Sequence, residues 1–334
     1  MKKIIPLIIV LFFIILPLIV SNAYYLHLLI LVMLWIIIGT GWNVIAGYTG
    51  QVSFGDAAFF GTGAYAAGLL THHFAISAWW GMGLGGFMAM LIALPFGWIC
   101  FRLRGAYFAL ASLALNEILR QIAVVAVPIT DGMAGILIMP TFVSKIPYYY
   151  IALGLAISST LLVKYVMSSR WGYYFLSIRE DQDAAESLGI DTHFYKMISL
   201  NIAAFLTGVA GALFMNYMGF IDPHVVFSLH DISIMAILVG IVGGVGTLYG
   251  PIVGAVVMVA VQEIFRTGCF GLLKFIADST GSETMKIVTE YVAKAHVLGF
   301  GALVIVVILF LPNGIVGDWH KITGRLTAGS KKGV

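Results

Sequence analysis

Apolar stretches long enough to cross a bilayer recur along this chain, and nothing else in the sequence restricts its fold so severely. They run near residues 4–20, 24–42, 57–72, 79–99, 105–127, 148–167, 198–218, 232–245, 249–266 and 295–312, with short polar or charged islands between them. Roughly 20 mostly apolar residues make one helical span, and a backbone in hydrocarbon must pair its own polar groups, as a helix does. The expected fold is therefore an all-α polytopic membrane protein of about ten transmembrane helices. With 61% hydrophobic and 10% charged residues, most of the surface has lipid as its solvent. The chain reads as one membrane domain, 1–334, with a first half of about 1–147, a second of about 148–320 and a tail over 313–334.

The segment Met1-Lys2-Lys3, the run to Val20 and then Ser21-Asn22-Ala23 imitate a cleavable leader. It reads instead as an uncleaved first span, because it has span length and another begins at once. Placing Lys2 and Lys3 inside also puts Arg102, Arg104, Lys164, Arg170, Arg179, Lys196, Lys321, Arg325, Lys331 and Lys332 at cytoplasmic positions, twelve of the eighteen basic residues. Loop bases favour the cytoplasm, so both termini are expected there, in a bacterial inner membrane. Tyr148 to Tyr150 and Trp79-Trp80 read as aromatic belts at headgroup depth.

Several classes of function fall away. The net charge is +3 with the bases scattered among loops, which argues against nucleic-acid binding. Cys100 and Cys269 are the two cysteines, too few and too separate for a disulfide framework. No His/Cys/Asp cluster has metal-ligand spacing, and His72-His73 closes a span. Neither a His-Glu-x-x-His nor a Gly-x-Ser-x-Gly pattern occurs, so no catalytic residue is assigned.

Two interruptions stand out. Gly47-Tyr48-Thr49-Gly50-Gln51-Val52-Ser53-Phe54-Gly55-Asp56 divides the second run from the third, and Gly243-Gly244-Val245-Gly246-Thr247-Leu248-Tyr249-Gly250-Pro251 divides two short runs in the second half. Irregular backbone at membrane depth belongs in a protein-walled or wet cavity. Gly-rich breaks at corresponding places in two halves point to inverted repeats and a translocation site. Gly47, Gly50, Gln51, Ser53, Asp56, Glu117, Gly243 and Gly246 are the candidate lining. The glycines at 240/244 and 246/250/254 also have the spacing that lets helices pack closely. Glu117 and Arg120 are three apart and suit an ion pair. Asp56 suits a helix cap.

The longest charged island is Ser177 to Ile190. Ser177 and Glu180 have capping-box spacing, early acids suit a helix N-terminus, and Gly189 is placed to end the helix. Ala184, Ala185 and Leu188 would form a smooth face for a groove on another protein. Arg179, Glu180, Asp183, Ala184, Ala185, Glu186, Leu188 and Gly189 are thus the candidate docking residues for a cytoplasmic motor.

Several ordered motifs carry a resemblance: Asn43 to Tyr65, Arg104 to Ala109, Leu115 to Arg120, Arg179 to Ile190, Gly243 to Pro251, and Leu311-Pro312-Asn313-Gly314. Together they resemble the permeases of branched-chain amino-acid ABC importers of the LivM type. The resemblance implies an EAA-like coupling helix over Glu180 to Gly189, a second, different permease chain, two ATPase subunits and a periplasmic solute-binding protein. It implies no cofactor in this chain, ATP and Mg being bound by the ATPase subunits; the sequence has no Walker A pattern. Members often carry His where this chain has Asp56. Related permeases that serve urea or short amides resemble the chain too. The competing class is a secondary transporter in which Asp56 or Glu117 binds a coupling ion, and the capped cytoplasmic helix argues against it.

Overall fold

The computed structural model describes residues 13–17, 22–74, 78–103, 105–264, 301 and 313–318. The expected spans over 4–20 and 295–312 fall outside the described residues apart from 13–17 and 301, as does the charged loop 267–294. Its helices are α1 (Ala23–Trp42), α2 (Asp56–Phe74), α3 (Ala78–Cys100), α4 (Ala106–Val125), α5 (Ile146–Ser168), α6 (Arg170–Glu180), α7 (Gln182–Ser187), α8 (Thr192–Met218), α9 (Pro223–Val226), α10 (Met235–Gly243), α11 (Gly250–Glu263) and α12 (Gly314–Gly317). Short one-turn pieces at Val127–Thr130 and Gly132–Ala134 follow α4.

Six helical stretches among the described residues are long and apolar enough to cross a membrane: Ala23–Tyr48, Trp79–Cys100, Ala106–Val125, Ile146–Ser168, Thr192–Met218 and Pro223–Gly243. Gly250–Glu263 is a shorter apolar helix. Of the six, Ala23–Tyr48 and Thr192–Met218 are the most enclosed, and Ala106–Val125 is the least.

The centre of the bundle is built where glycine removes side chains. A Cβ on Gly63 of α2 would lie 2.0 Å from the carbonyl oxygen of Gly208 in α8, and one on Gly211 would lie 2.0 Å from that of Phe60. A Cβ on Gly85 of α3 would lie 2.7 Å from the Gly63 oxygen. These backbones touch directly. Between apolar helices in lipid, close van der Waals approach of small residues drives association. Hence α2, α3 and α8 form a tight triad, with Phe60, Ala64 and Ala210 fully buried in it.

Of the three tyrosines expected at the interface, Tyr150 alone is exposed. Tyr148 and Tyr149 are buried, and the Tyr149 hydroxyl donates to the Phe13 carbonyl at 2.7 Å. The Tyr148 ring meets the Tyr217 ring edge-on at 5.4 Å. A tyrosine run does not reveal whether its hydroxyls find water or a neighbouring backbone. Trp80 is exposed and Trp79 half-buried.

At one end of the bundle, the loop end, α8 begins and α3 finishes, with Phe101 against His193. At the far end, a two-residue antiparallel pair joins Ile136–Leu137 to Phe220–Ile221, pairing Ile136 with Ile221 and Leu137 with Phe220. This pins the segment after α4 to the end of α8.

Candidate functional site

At the loop end, α1 leaves regular geometry. It widens to i→i+5 turns over Asn43–Tyr48, then Gly50 takes φ 75° and the chain reverses, with Gln51 N–H bonded to the Ile45 carbonyl at 3.0 Å. A side chain is disfavoured at that φ. The second break, after α10, lies directly against this turn. Asn43 accepts from Gly246 N–H through Oδ1 at 2.8 Å and donates through Nδ2 to the Thr247 carbonyl at 2.9 Å. A Cβ on Gly47 would lie 2.6 Å from Gly246 N. The two breaks, two hundred residues apart, are thus tied into one junction by a single buried amide side chain.

Arg179, near the end of α6, covers this junction. Its Nη1 donates to the Gly47 carbonyl at 3.0 Å, and its Nη2 lies 2.9 Å from Glu180 Oε1. A Cβ on Gly246 would lie 2.7 Å from Arg179 Nη1. Gly47, Gly50 and Gly246 therefore meet protein at this point, and Gly243 meets the α11 backbone, where its Cβ would lie 1.9 Å from the Gly250 carbonyl oxygen. These four glycines permit close approach; their smallness is used up by backbone and by the Arg179 chain. Sequence spacing alone did not distinguish this from an open lining.

The charged island forms two helices where one was expected. Ser177 lies inside α6, its hydroxyl donating to the Tyr173 carbonyl at 2.9 Å, so it caps nothing. Asp181 is extended at φ −156° and ψ 114° and takes the capping role, its Oδ1 accepting from Asp183 N–H at 2.9 Å and Ala184 N–H at 3.0 Å. Gly189 ends α7 as expected, at φ 84°. Its N–H bonds to the Glu186 carbonyl at 2.9 Å, while Ile190 N–H bonds to that of Ala185 at 3.1 Å, the paired arrangement of a left-handed glycine stop.

Burial divides the island's candidate residues. Ala185 is buried, whereas Asp183, Ala184, Ser187 and Leu188 are exposed, Leu188 to 82%. The smooth face toward solvent is thus Ala184 and Leu188, and Ala185 is the side that seats α7 on the bundle. Glu186 is exposed but tied to the bundle: Thr192 Oγ1 donates to its Oε1 at 2.5 Å, and Gln182 Nε2 does so at 2.9 Å. Lys196, 1% exposed, donates to Gln182 Oε1. This network fastens α7 to the first turns of α8. Sequence reading did not connect Gln182, Thr192 and Lys196 with one another, although Gln182 and Glu186 lie four apart.

A second polar region lies where α2 begins. Amides around its start are taken by hydroxyls from three places: just before the helix, Gly55 N–H by Ser53 Oγ at 3.1 Å and Phe54 N–H by Ser112 Oγ of α4 at 2.9 Å, and in its first turn Ala57 N–H by Ser233 Oγ at 2.9 Å. Asp56 is the first residue of α2 and is 2% exposed, and the first-turn amide of Ala57 is taken by Ser233 rather than by Asp56. Its Oδ2 is buried with no hydrogen-bond partner among the described residues. Gln51 is half-buried. On α4, one turn beyond Ser112, Asn116 donates to the Phe227 carbonyl at 3.0 Å, and its own Oδ1 is buried with no partner among the described residues.

Further along α4, Glu117 and Arg120 form the expected pair, bidentate at 2.9 Å (Nε to Oε2) and 2.5 Å (Nη2 to Oε1). Gln121 Nε2 donates to the same Oε1 at 2.9 Å. Arg120 Nη1 lies 3.2 Å from His224 Nδ1 on α9. An arginine only donates, so this contact sets Nδ1 as the acceptor and the ring proton on Nε2. Among the described residues, no group of three His, Cys, Asp or Glu side chains is arranged to hold a metal ion.

Residues 24–271 match the family described as branched-chain amino acid transport system / permease component. The chain is 29% identical to the high-affinity branched-chain amino acid transport system permease protein LivM of Escherichia coli K12 over 266 residues, 71% of this chain and 62% of the relative. To the LivM protein of Salmonella typhimurium it is 29% identical over 264 residues, 70% of this chain and 62% of that one. To the LivH permease protein of E. coli K12 it is 30% identical over 158 residues, 47% of this chain and 42% of the relative. The chain thus spans about 62% of the length of the LivM relatives it matches. No solved structure matches it.

Proposed function

Since the chain belongs to the branched-chain amino acid transport permease family, we propose that it is the membrane-spanning subunit of an ATP-driven importer carrying leucine, isoleucine and valine into the cytoplasm. It works beside a second permease chain, two ATPase subunits that bind ATP and Mg, and a periplasmic binding protein. About ten spans cross the inner membrane, as two inverted-repeat halves with both termini on the cytoplasmic side.

The observation that carries the mechanism is the Arg179 bridge. The exposed Ala184 and Leu188 of α7 offer a groove-sized apolar knob, with Asp183 beside it, and the Ala185 side of α7 is seated on the bundle. A push on α7 passes through Asp181 to α6, whose Arg179 holds the Gly47 carbonyl. Through Asn43 the same junction holds Gly246 and Thr247. One displacement at the loop end is thereby delivered to both halves, which is what alternating access requires of a coupling element. The path itself runs on the α2–α4 side, past Gln51, Ser53, Asp56 and Glu117, where polar groups interrupt apolar helices. Gly47, Gly50, Gly243 and Gly246 shape its floor by letting the breaks close on each other.

Uptake of labelled leucine by cells carrying the whole transporter tests this, with Leu188→Arg as the perturbed form. The reading expects ATP-dependent uptake in the parent. In the variant it expects loss of uptake and of ATPase co-purification, with the permease still in the membrane. Parent cells that import urea or a short amide in place of leucine would overturn the substrate. A variant that retains its ATPase would overturn the docking face.

A further inference from the structure

The polar cluster on α4 is on the wrong surface for a helix that meets lipid. Glu117 lies eleven residues from the start of α4 and eight from its end, about 16 Å and 12 Å along the axis at roughly 1.5 Å per residue. Yet its side chain is 50% exposed and that of Arg120 22%, and Gln121 is exposed too. Ionised groups at such depth are costly in hydrocarbon and turn toward protein or water.

The outward face of α4 has further order. Tyr107, Leu110, Ala114, Glu117, Gln121 and Val125 are all exposed and follow one another at intervals of three or four, the seam spacing of a helix that packs on another helix. Tyr107, Leu110 and Val125 are 69%, 63% and 75% exposed, and small Ala114 in their midst allows close approach. The outer face of α3 differs: Phe87, Leu91 and Trp98 are exposed with no charged residue between Ala78 and Cys100, as a lipid-facing helix should be.

We propose that the outer face of α4 packs on a second permease chain of the same family, resting on the function proposed above. Tyr107, Leu110 and Ala114 form the helix-to-helix contact. Glu117, Arg120 and Gln121, with His224, border the aqueous path between the two chains. The pair is neutral as a whole, so the partner surface opposite is apolar against Ala114 and polar but uncharged against Gln121.

The test uses the assembled transporter in native membranes. A photoreactive benzoylphenylalanine replaces Ala114, or Leu91 of α3 for comparison, and Gln121→Cys, with Cys100→Ser and Cys269→Ser, is treated with a membrane-impermeant thiol reagent. Irradiation is expected to yield a two-permease adduct from position 114 and lipid adducts alone from position 91, and Gln121→Cys is expected to react. Lipid adducts alone from 114, a crosslink from 114 to residues 265–312 of the same chain, or an unreactive Gln121→Cys would each overturn the proposal. If the ATPase and a second permease co-purify while 114 labels lipid, the interface is wrong and the importer reading stands. If neither co-purifies, both fall.

Discussion

Arg179 Nη1 and the carbonyl of Gly47, 3.0 Å apart, join a charged surface helix to the point where the first enclosed helix breaks. A hydrogen bond from a charged donor is worth about 1.5–3 kcal/mol, and here the Arg179 stem also fills the space that glycine leaves at position 50 and its guanidinium the space at position 246. Arg179→Ala should therefore lower leucine uptake at least tenfold while ATPase subunits still co-purify, because the docking face is intact. Arg179→Lys should recover little of it, since one ammonium does not reproduce the fork that reaches Gly47 and Glu180 together. Uptake and co-purification measured on the same membranes check both.

Ala184 and Ala185 are neighbours with opposite fates. Ala184→Arg adds a charge in solvent and should block the ATPase without loss of folded permease. Ala185→Arg forces a charge into a buried site and should destabilise the loop end by several kcal/mol, lowering the amount of monodisperse protein extracted in detergent. Size-exclusion profiles separate the two outcomes.

The backbone contacts of the triad make a sharp comparison among glycines. Gly63→Ala and Gly211→Ala each place a methyl 2.0 Å from a carbonyl oxygen and should destabilise by about 1–3 kcal/mol or more, as overpacking does. Gly154→Ala in α5 meets nothing within 4 Å and should keep or raise thermal stability, by about 0.5–1 kcal/mol as helix propensity favours alanine. Melting followed by fluorescence-detected chromatography reads all three.

Ser112 and Ser233 come from different helical segments to hold the chain at the start of α2, one at Phe54 and one at Ala57. Removing the Ser233 hydroxyl leaves the buried Ala57 N–H without its acceptor, at about 1–3 kcal/mol, and removing that of Ser112 leaves the part-buried Phe54 N–H without its own, at less. Ser112→Ala and Ser233→Ala should each lower the melting temperature, and Ser53→Ala by a comparable amount. The double variant Ser112→Ala/Ser233→Ala tests whether the two hydroxyls act independently, with additivity expected if they do.

The apolar runs and their polar punctuation made the helices legible, because period and length suffice where lipid is the solvent. The Glu117–Arg120 pair and the glycine stop at 189 were legible for the same reason: both depend on residues three to four positions apart or adjacent. Asn43 with Gly246, Ser233 with Ala57, and Lys196 with Gln182 were not, since each joins segments whose meeting depends on how helices pack. The cap at Asp181 was misassigned to Ser177 because both residues precede acids. Only the backbone break at 181, imposed where α6 gives way to α7, decides between them.

The direct contact of main chains at Gly63, Gly85, Gly208 and Gly211 has a mechanical corollary. A helix pair that meets through interlocked side chains can slide by swapping rotamers, but bare backbones have no such gearing. In the transport cycle proposed above, α2, α3 and α8 would then act as a keel, and opening toward one side of the membrane and then the other would fall to the elements that rock against it.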